Sequence, residues 1–289
     1  MESWMPGILA SVALLLSAWA LGRRLLAPWR ARLGDDLLFE SCAAGAGLGI
    51  WGLGTFLLGT AGLLSPWIFR GLMLAGGLLA LADLRTLATA ASAFRTDALG
   101  LIQASLAGVS LLAMASGLPA APTDYDSLEY HLGAPAAYLR QGRISFLTDN
   151  AYAAFPEQQE MLCLAGLAAT GTHAGGATAA KTLNLACWAL AALALLALGR
   201  RHATTRSGAW AALMLLASPW VRDSAAWLPY NEPGLALFAL LAFATALEGE
   251  VTLAGLFAGL AFAVKYPAAL FVVLPIGLAL GIRKASDLP

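Results

Sequence analysis

The sequence predicts an all-α polytopic membrane protein, a bundle of transmembrane helices with amphipathic helices in a long loop on its outer side. Three observations predict it. The chain is 60% hydrophobic and 12% charged, with a mean hydropathy of +0.74, which is too apolar for a soluble domain. Apolar runs near the membrane-crossing length, about 20 residues for about 30 Å of hydrocarbon, recur along it. Its Lys and Arg residues fall in alternate loops, as the positive-inside rule requires. The net charge of zero gives no case for nucleic-acid binding.

The elements follow in order. "MESWMPGILASVALLLSAWALGRR" has its arginines after the apolar core and no clear small-residue cleavage site, so it reads as a first span and not a signal peptide. Residues 6 to 22, 37 to 64, 67 to 84 and 98 to 118 are four candidate spans, and 176 to 199 is a fifth. Further on, 208 to 220, 233 to 247, 251 to 264 and 267 to 282 are short, and Pro219, Pro229, Pro233, Pro267 and Pro275 interrupt them. Such segments are tolerated at membrane depth where protein or a watery cavity satisfies the freed backbone. As one helix, 251 to 282 would reach about 48 Å, too long for one upright pass, so a break is expected at Tyr266-Pro267.

Sidedness follows from the basic residues. Arg23, Arg24, Arg30 and Arg32, then Arg85 and Arg95, then Arg200, Arg201 and Arg206, then Arg283 and Lys284 mark the loops assigned to the cytoplasm. The opposite loops hold Arg70, Arg140, Arg143 and Arg222. Residues 119 to 175 then form an outer loop longer than a connection requires. Within it, 126 to 141 places Leu128, Leu132, Pro135, Ala136 and Leu139 at mostly helical spacing. "PEQQEMLCLAGLAATG" does the same, with Glu157 and Glu160 where a helix N-terminus favours negative charge. Both are expected to lie along the outer membrane surface as a lid.

That loop concentrates the ionisable chemistry. In "PTDYDSLEYHLGAPAAYLRQGRI", Asp124, Asp126 and Glu129 interleave with Tyr125, Tyr130 and His131. One reading is a solvated loop with capping aspartates; the other is a pocket at a membrane interface, where gathered ionisable groups are functional by default. Glu232 opens an apolar helix on the same side, where it complements the helix N-terminus. Lys265 has apolar residues on both sides, so it needs either an anion or a snorkelling route to the interface. His131, His173 and His202 are too dispersed for a zinc set, although carboxylates alone could hold a divalent cation. Cys42, Cys163 and Cys187 show no disulfide or metal spacing. No serine sits in a GxSxG context.

"DSLEYHL", "YLRQGRI", "FPEQQEML", "YNEPGLALF" and "GLFAGLAFAVKYPAAL", in that order, resemble the polytopic C-type (GT-C) glycosyltransferases, including protein O-mannosyltransferase and aminoarabinose-transferase relatives. The resemblance covers about 98 to 282. It divides the chain into a three-span extension, 1 to 97, and a GT-C-like catalytic module, 98 to 289, which ends early for a full-length member. It implies an integral protein of the bacterial inner (plasma) membrane. Its outward loop acids would line a cavity where a polyprenyl-phosphate sugar donor meets an acceptor hydroxyl on a glycan, lipid or protein.

Asp126 matches the first acid of the family's loop motif and is the implied base. Many members follow it with Glu where this chain has Ser127, so Asp124 or Glu129 stands in for the second acid. Glu232 matches a helix-start position that is more often Asp, and Lys265 a Gly-rich-then-Lys element placed to meet the lipid phosphate. Tyr130, His131 and Arg143 complete the implied substrate-binding set. A lipid-phosphate leaving group needs no protonation; the enzyme must supply a base and positive charge. The rival is a transporter or lipid flippase, in which broken helices line a pathway.

Overall fold

The computed structural model describes residues 4–84 and 98–286, without the side chains of 283–286; Arg85 and Arg95 lie outside the described residues. The chain is helical, with no strand among the described residues. Its helices are α1 (Met5–Leu26), α2 (Arg30–Leu33), α3 (Asp36–Thr60), α4 (Pro66–Leu81), α5 (Ala98–Ala115), α6 (Gly133–Gln141), α7 (Gln158–Thr170), α8 (His173–His202), α9 (Thr205–Leu216), α10 (Pro219–Ala226), α11 (Glu232–Leu247), α12 (Val251–Val264) and α13 (Leu274–Ser286). Among the described residues, four helical stretches are long and apolar enough to cross a membrane: Met5–Leu33, Asp36–Thr60, Ala98–Ala115 and His173–His202. They are compatible with an integral membrane protein.

Local chemistry sets the boundaries. Asp35 caps α3 by accepting the Leu37 and Leu38 N–H groups, and Thr172 caps α8 through Gly175. Thr204 and Ser207 form a capping box on α9. Pro219 and Pro233 do not break helices; they sit in the first turns of α10 and α11, where a missing N–H costs nothing. The expected break near Pro267 is present. Helix α12 stops at Val264, Lys265 is extended, and a π turn over Ala269–Val273 leads into α13.

Helices α1, α3 and α8 form the centre, joined by α4, α7, α9 and α11, and α12 packs on α11. Small residues such as Ala18, Ala43 and Gly47 let the α1 and α3 backbones approach closely. Helix α5 is peripheral, burying only Gln103 and Met114.

The two ends of the bundle are polar in different ways. At one end Arg23 pairs with Glu40, Arg24 with Asp83 (2.8 Å), Arg30 with Asp36 (2.9 Å), Arg200 with Asp35 (3.2 Å) and Arg201 with Glu248. These are the basic groups expected on the cytoplasmic side. Glu232 opens α11, whose far end carries Glu248, and Lys265 follows α12, whose near end adjoins the Arg32 partner Glu250.

Of the two helices expected to lie along the outer surface, the second needs correction. Residues 126 to 141 form a π turn (Ser127–His131) followed by α6. A Cβ on Gly133 would lie 2.4 Å from the Leu128 carbonyl oxygen, so the tight exit from that turn requires glycine. Helix α7 does not lie on a surface, because every residue from Gln158 to Ala169 is buried. The reason is compositional: 161 to 169 is apolar or small all round, and its polar residues form one turn at the N-terminus and not a stripe.

Candidate functional site

The first turn of α7 is the hub of the site. Gln158, Gln159 and Glu160 are consecutive, so helical rotation points them at three different neighbours. Gln158 Nε2 donates to the Leu48 carbonyl of α3 (3.3 Å). Gln159 Nε2 donates to Asn184 Oδ1 (2.9 Å), and Asn184 Nδ2 donates to the Tyr230 carbonyl (2.8 Å). A Cβ at Gly234 would meet the Gln159 side-chain oxygen at 2.2 Å, so a larger residue there would push the Gln159 amide off Asn184.

Glu160, 2% exposed, accepts from His131 Nδ1 (2.6 Å) and Asn231 Nδ2 (3.2 Å), both on Oε1. His131 is 2% and Asn231 4% exposed. A charge taken this far out of water needs such partners. Glu160 Oε2 and Asn231 Oδ1 have none, and neither has Glu232 Oε2.

Aromatic rings enclose the group. Tyr130 lies 3.9 Å from His131 and stacks on Tyr152 at 5.1 Å, centroid to centroid; His131 lies 5.2 Å from Tyr230. Phe155 meets Tyr152 and Tyr266 edge-on. Between them is a pocket of about 90 Å³, lined by Tyr130, Tyr152, Phe155, Glu157, Glu160, Asn231, Lys265 and Tyr266 among others. Lys265 Nζ donates to Glu232 Oε1 (2.7 Å) and keeps 35% of its side chain exposed. It therefore meets an anion, Glu232, and also reaches the surface, so both expected destinations are present.

The loop acids stand on the adjoining edge. Asp124 Oδ1 accepts the Ser127 N–H (2.9 Å), the capping role expected of one of the two aspartates. Burial raises the Asp124 pKa, but the Ser127 hydroxyl and N–H and the Tyr230 phenol outweigh it and hold the carboxyl below its ordinary value. Burial, with Asp124 beside it, pushes the Tyr230 phenol up to about 12. Asp126 makes no capping bond; it is exposed, and its charge is felt by Tyr130 and Tyr230. Glu157, which takes a hydrogen bond from the Tyr138 hydroxyl (3.1 Å), is pushed up to about 8, first by burial and then by Glu160.

Of the expected residues, Tyr130 and Lys265 line the pocket, His131 and Glu232 stand behind it bonded to Glu160 and Lys265, and Asp124 and Asp126 lie outside the lining beside Tyr230 and Tyr130. Two expected residues stand apart. Arg143 is exposed beyond the end of α6 and lines no part of the pocket, because the left-handed turn at Gly142 carries it away. Glu129 is held by its carbonyl, which accepts from Asn150 Nδ2 (2.8 Å), and does not line the pocket either. Sequence reasoning missed Glu160, Asn231, Tyr152 and Tyr230 as site residues. It also missed Lys181, fully buried in α8, whose ammonium caps the Gly117 carbonyl (3.0 Å) and that of Ala120.

Among the described residues, no three His, Cys, Asp or Glu side chains come together to hold a metal ion. The arrangement can instead accept hydroxyl protons, stack against a ring and meet an anion. No family model, curated protein or solved structure matches the chain.

Proposed function

We propose that this chain is a polytopic GT-C-like membrane glycosyltransferase, moving a sugar from a polyprenyl-phosphate donor to an acceptor hydroxyl on the outer face of the membrane. The observation that carries the reading is the gathering of carboxylates, a half-exposed lysine and aromatic rings at the end of the bundle opposite the paired arginines. Asp126 takes the acceptor proton as the acceptor oxygen bonds to the anomeric carbon. The bond from that carbon to the phosphate oxygen breaks, its electron pair leaves with the lipid phosphate, and the Lys265 ammonium offsets the charge. One displacement of this kind inverts the anomeric centre. Asp126 removes the proton late, as the oxocarbenium-like carbon draws the oxygen in.

The transport alternative needs polar groups along a route through the bundle. Among the described residues, His131, Glu160 and Lys181 are buried toward one end, and the buried carboxylates of Asp35 and Glu248 at the other are paired with Arg200 and Arg201. That distribution favours a one-sided site. The test is incubation of the purified protein with undecaprenyl-phosphate hexoses and bacterial envelope extract, followed by mass spectrometry. Release of undecaprenyl phosphate together with a hexose-bearing product is expected. Intact donor, moved across vesicles without cleavage, would establish transport instead.

A further inference from the structure

We infer that the pocket between Glu160, Asn231 and Lys265 reads the hydroxyl pattern of the donor sugar, so that Glu160 and Asn231 determine which sugar is accepted. The inference rests on the glycosyltransferase reading and adds to it the residues that set specificity.

Two observations carry it. First, the unpartnered atoms on the pocket-lining residues are both acceptors. Glu160 Oε2 and Asn231 Oδ1 are buried oxygens without a donor, and both residues line the pocket. Their orientation is not free: a carboxylate has only acceptor oxygens, so Asn231 must turn its Nδ2 to Glu160 and its oxygen away. Buried acceptors left unmade cost free energy, so the matching ligand brings donors. Second, the walls are ring faces and edges from Tyr130, Tyr152, Phe155 and Tyr266, which suit the apolar C–H face of a sugar while its hydroxyls reach inward.

A metal cation is the other species that seeks bare oxygens. It is disfavoured because Lys265 occupies the Glu232 carboxylate at 2.7 Å and lines the same pocket, placing a positive charge where a cation would sit. The same ammonium suits a ligand whose far end is a phosphate. At about 90 Å³ the pocket has room for about three waters, enough for one hydroxylated edge of a hexose and not the whole ring.

The experiment measures binding of the full chain in lipid nanodiscs to bare undecaprenyl phosphate and to its glucosyl, galactosyl and mannosyl derivatives, with singly deoxygenated versions of whichever binds best. Wild type should prefer one glycosyl lipid over the bare lipid by at least 10-fold. Glu160→Gln, which puts an N–H₂ where an acceptor stood, and Asn231→Ala should each reduce that preference about 10-fold, leaving bare-lipid binding in place. Removing one particular sugar hydroxyl should cost wild type as much, a readout that holds even where a variant fails to fold. Unchanged preference in both variants, indifference to every deoxygenation, or equal binding of bare and glycosyl lipids would overturn the inference while leaving the transferase reading standing. Binding of no polyprenyl phosphate at all would overturn both.

Discussion

Glu157 makes the stability of this protein depend on pH. Its carboxyl sits at the mouth of the pocket, just before α7, and is raised from 4.5 to about 8 by burial and by the neighbouring Glu160 charge. A raised carboxyl pKa means the folded state holds its proton more tightly than the unfolded chain does. The stabilisation is therefore complete below pH 4.5 and is lost progressively as pH rises to about 8. A shift of that size corresponds to about 5 kcal/mol across the window. For a chain of this length that is a fall in Tm of about 10 °C. Glu157→Gln keeps the shape of the protonated acid and cannot ionise, so the variant should match wild type at pH 5 and exceed it at pH 8.5. Thermal unfolding in detergent, followed by tryptophan fluorescence from pH 5 to 9, reads this directly. Parallel curves for wild type and Glu157→Gln would refute the reasoning.

Three further outcomes follow from the same geometry. Lys265→Met should weaken undecaprenyl-phosphate-hexose binding while the protein stays folded, and Lys265→Arg should be partly tolerated because charge is kept; equal affinity in wild type and Lys265→Met removes it from the site. Lys181→Met, which strips the cap from the Gly117 and Ala120 carbonyls, should cost about 2 to 3 kcal/mol and expose the 117 to 124 segment to protease. An unchanged Tm and cleavage pattern would contradict that role. A cysteine at Ser145 should react with an impermeant thiol reagent in intact cells and one at Ser207 should not, the three native cysteines being buried. Reversed labelling overturns the outward site.

The sequence carried the helices well because their signals are local. Apolar runs fixed the long helices, and Pro267 marked the stop ahead of α13, since a proline constrains its own turn wherever it sits. Asp126, Glu232 and Lys265 were legible because charge is conspicuous in an apolar chain. Glu160 was not, because a glutamate in a first helical turn looks the same whether it faces water or a buried histidine. The missed signal lay downstream: with 161 to 169 apolar on every face, α7 had to be buried, and its one polar turn then had to find partners inside. Arg143 misled for the converse reason: its charge was visible in the sequence, but the turn at Gly142 that carries it out of the site is a matter of geometry.

The most direct test of the proposed transfer is a single-turnover comparison of Asp126→Asn with wild type on the preferred undecaprenyl-phosphate hexose, with donor affinity measured in parallel. Asp126 makes no capping bond and is exposed, so the substitution carries no structural cost that could mimic a catalytic one. A base acts chiefly in the transition state, so turnover should fall by about 10²- to 10⁴-fold while donor affinity stays within about 2-fold. Transfer by Asp126→Asn at the wild-type rate would contradict the assignment, and a larger loss in Asp124→Asn would move the base two residues upstream.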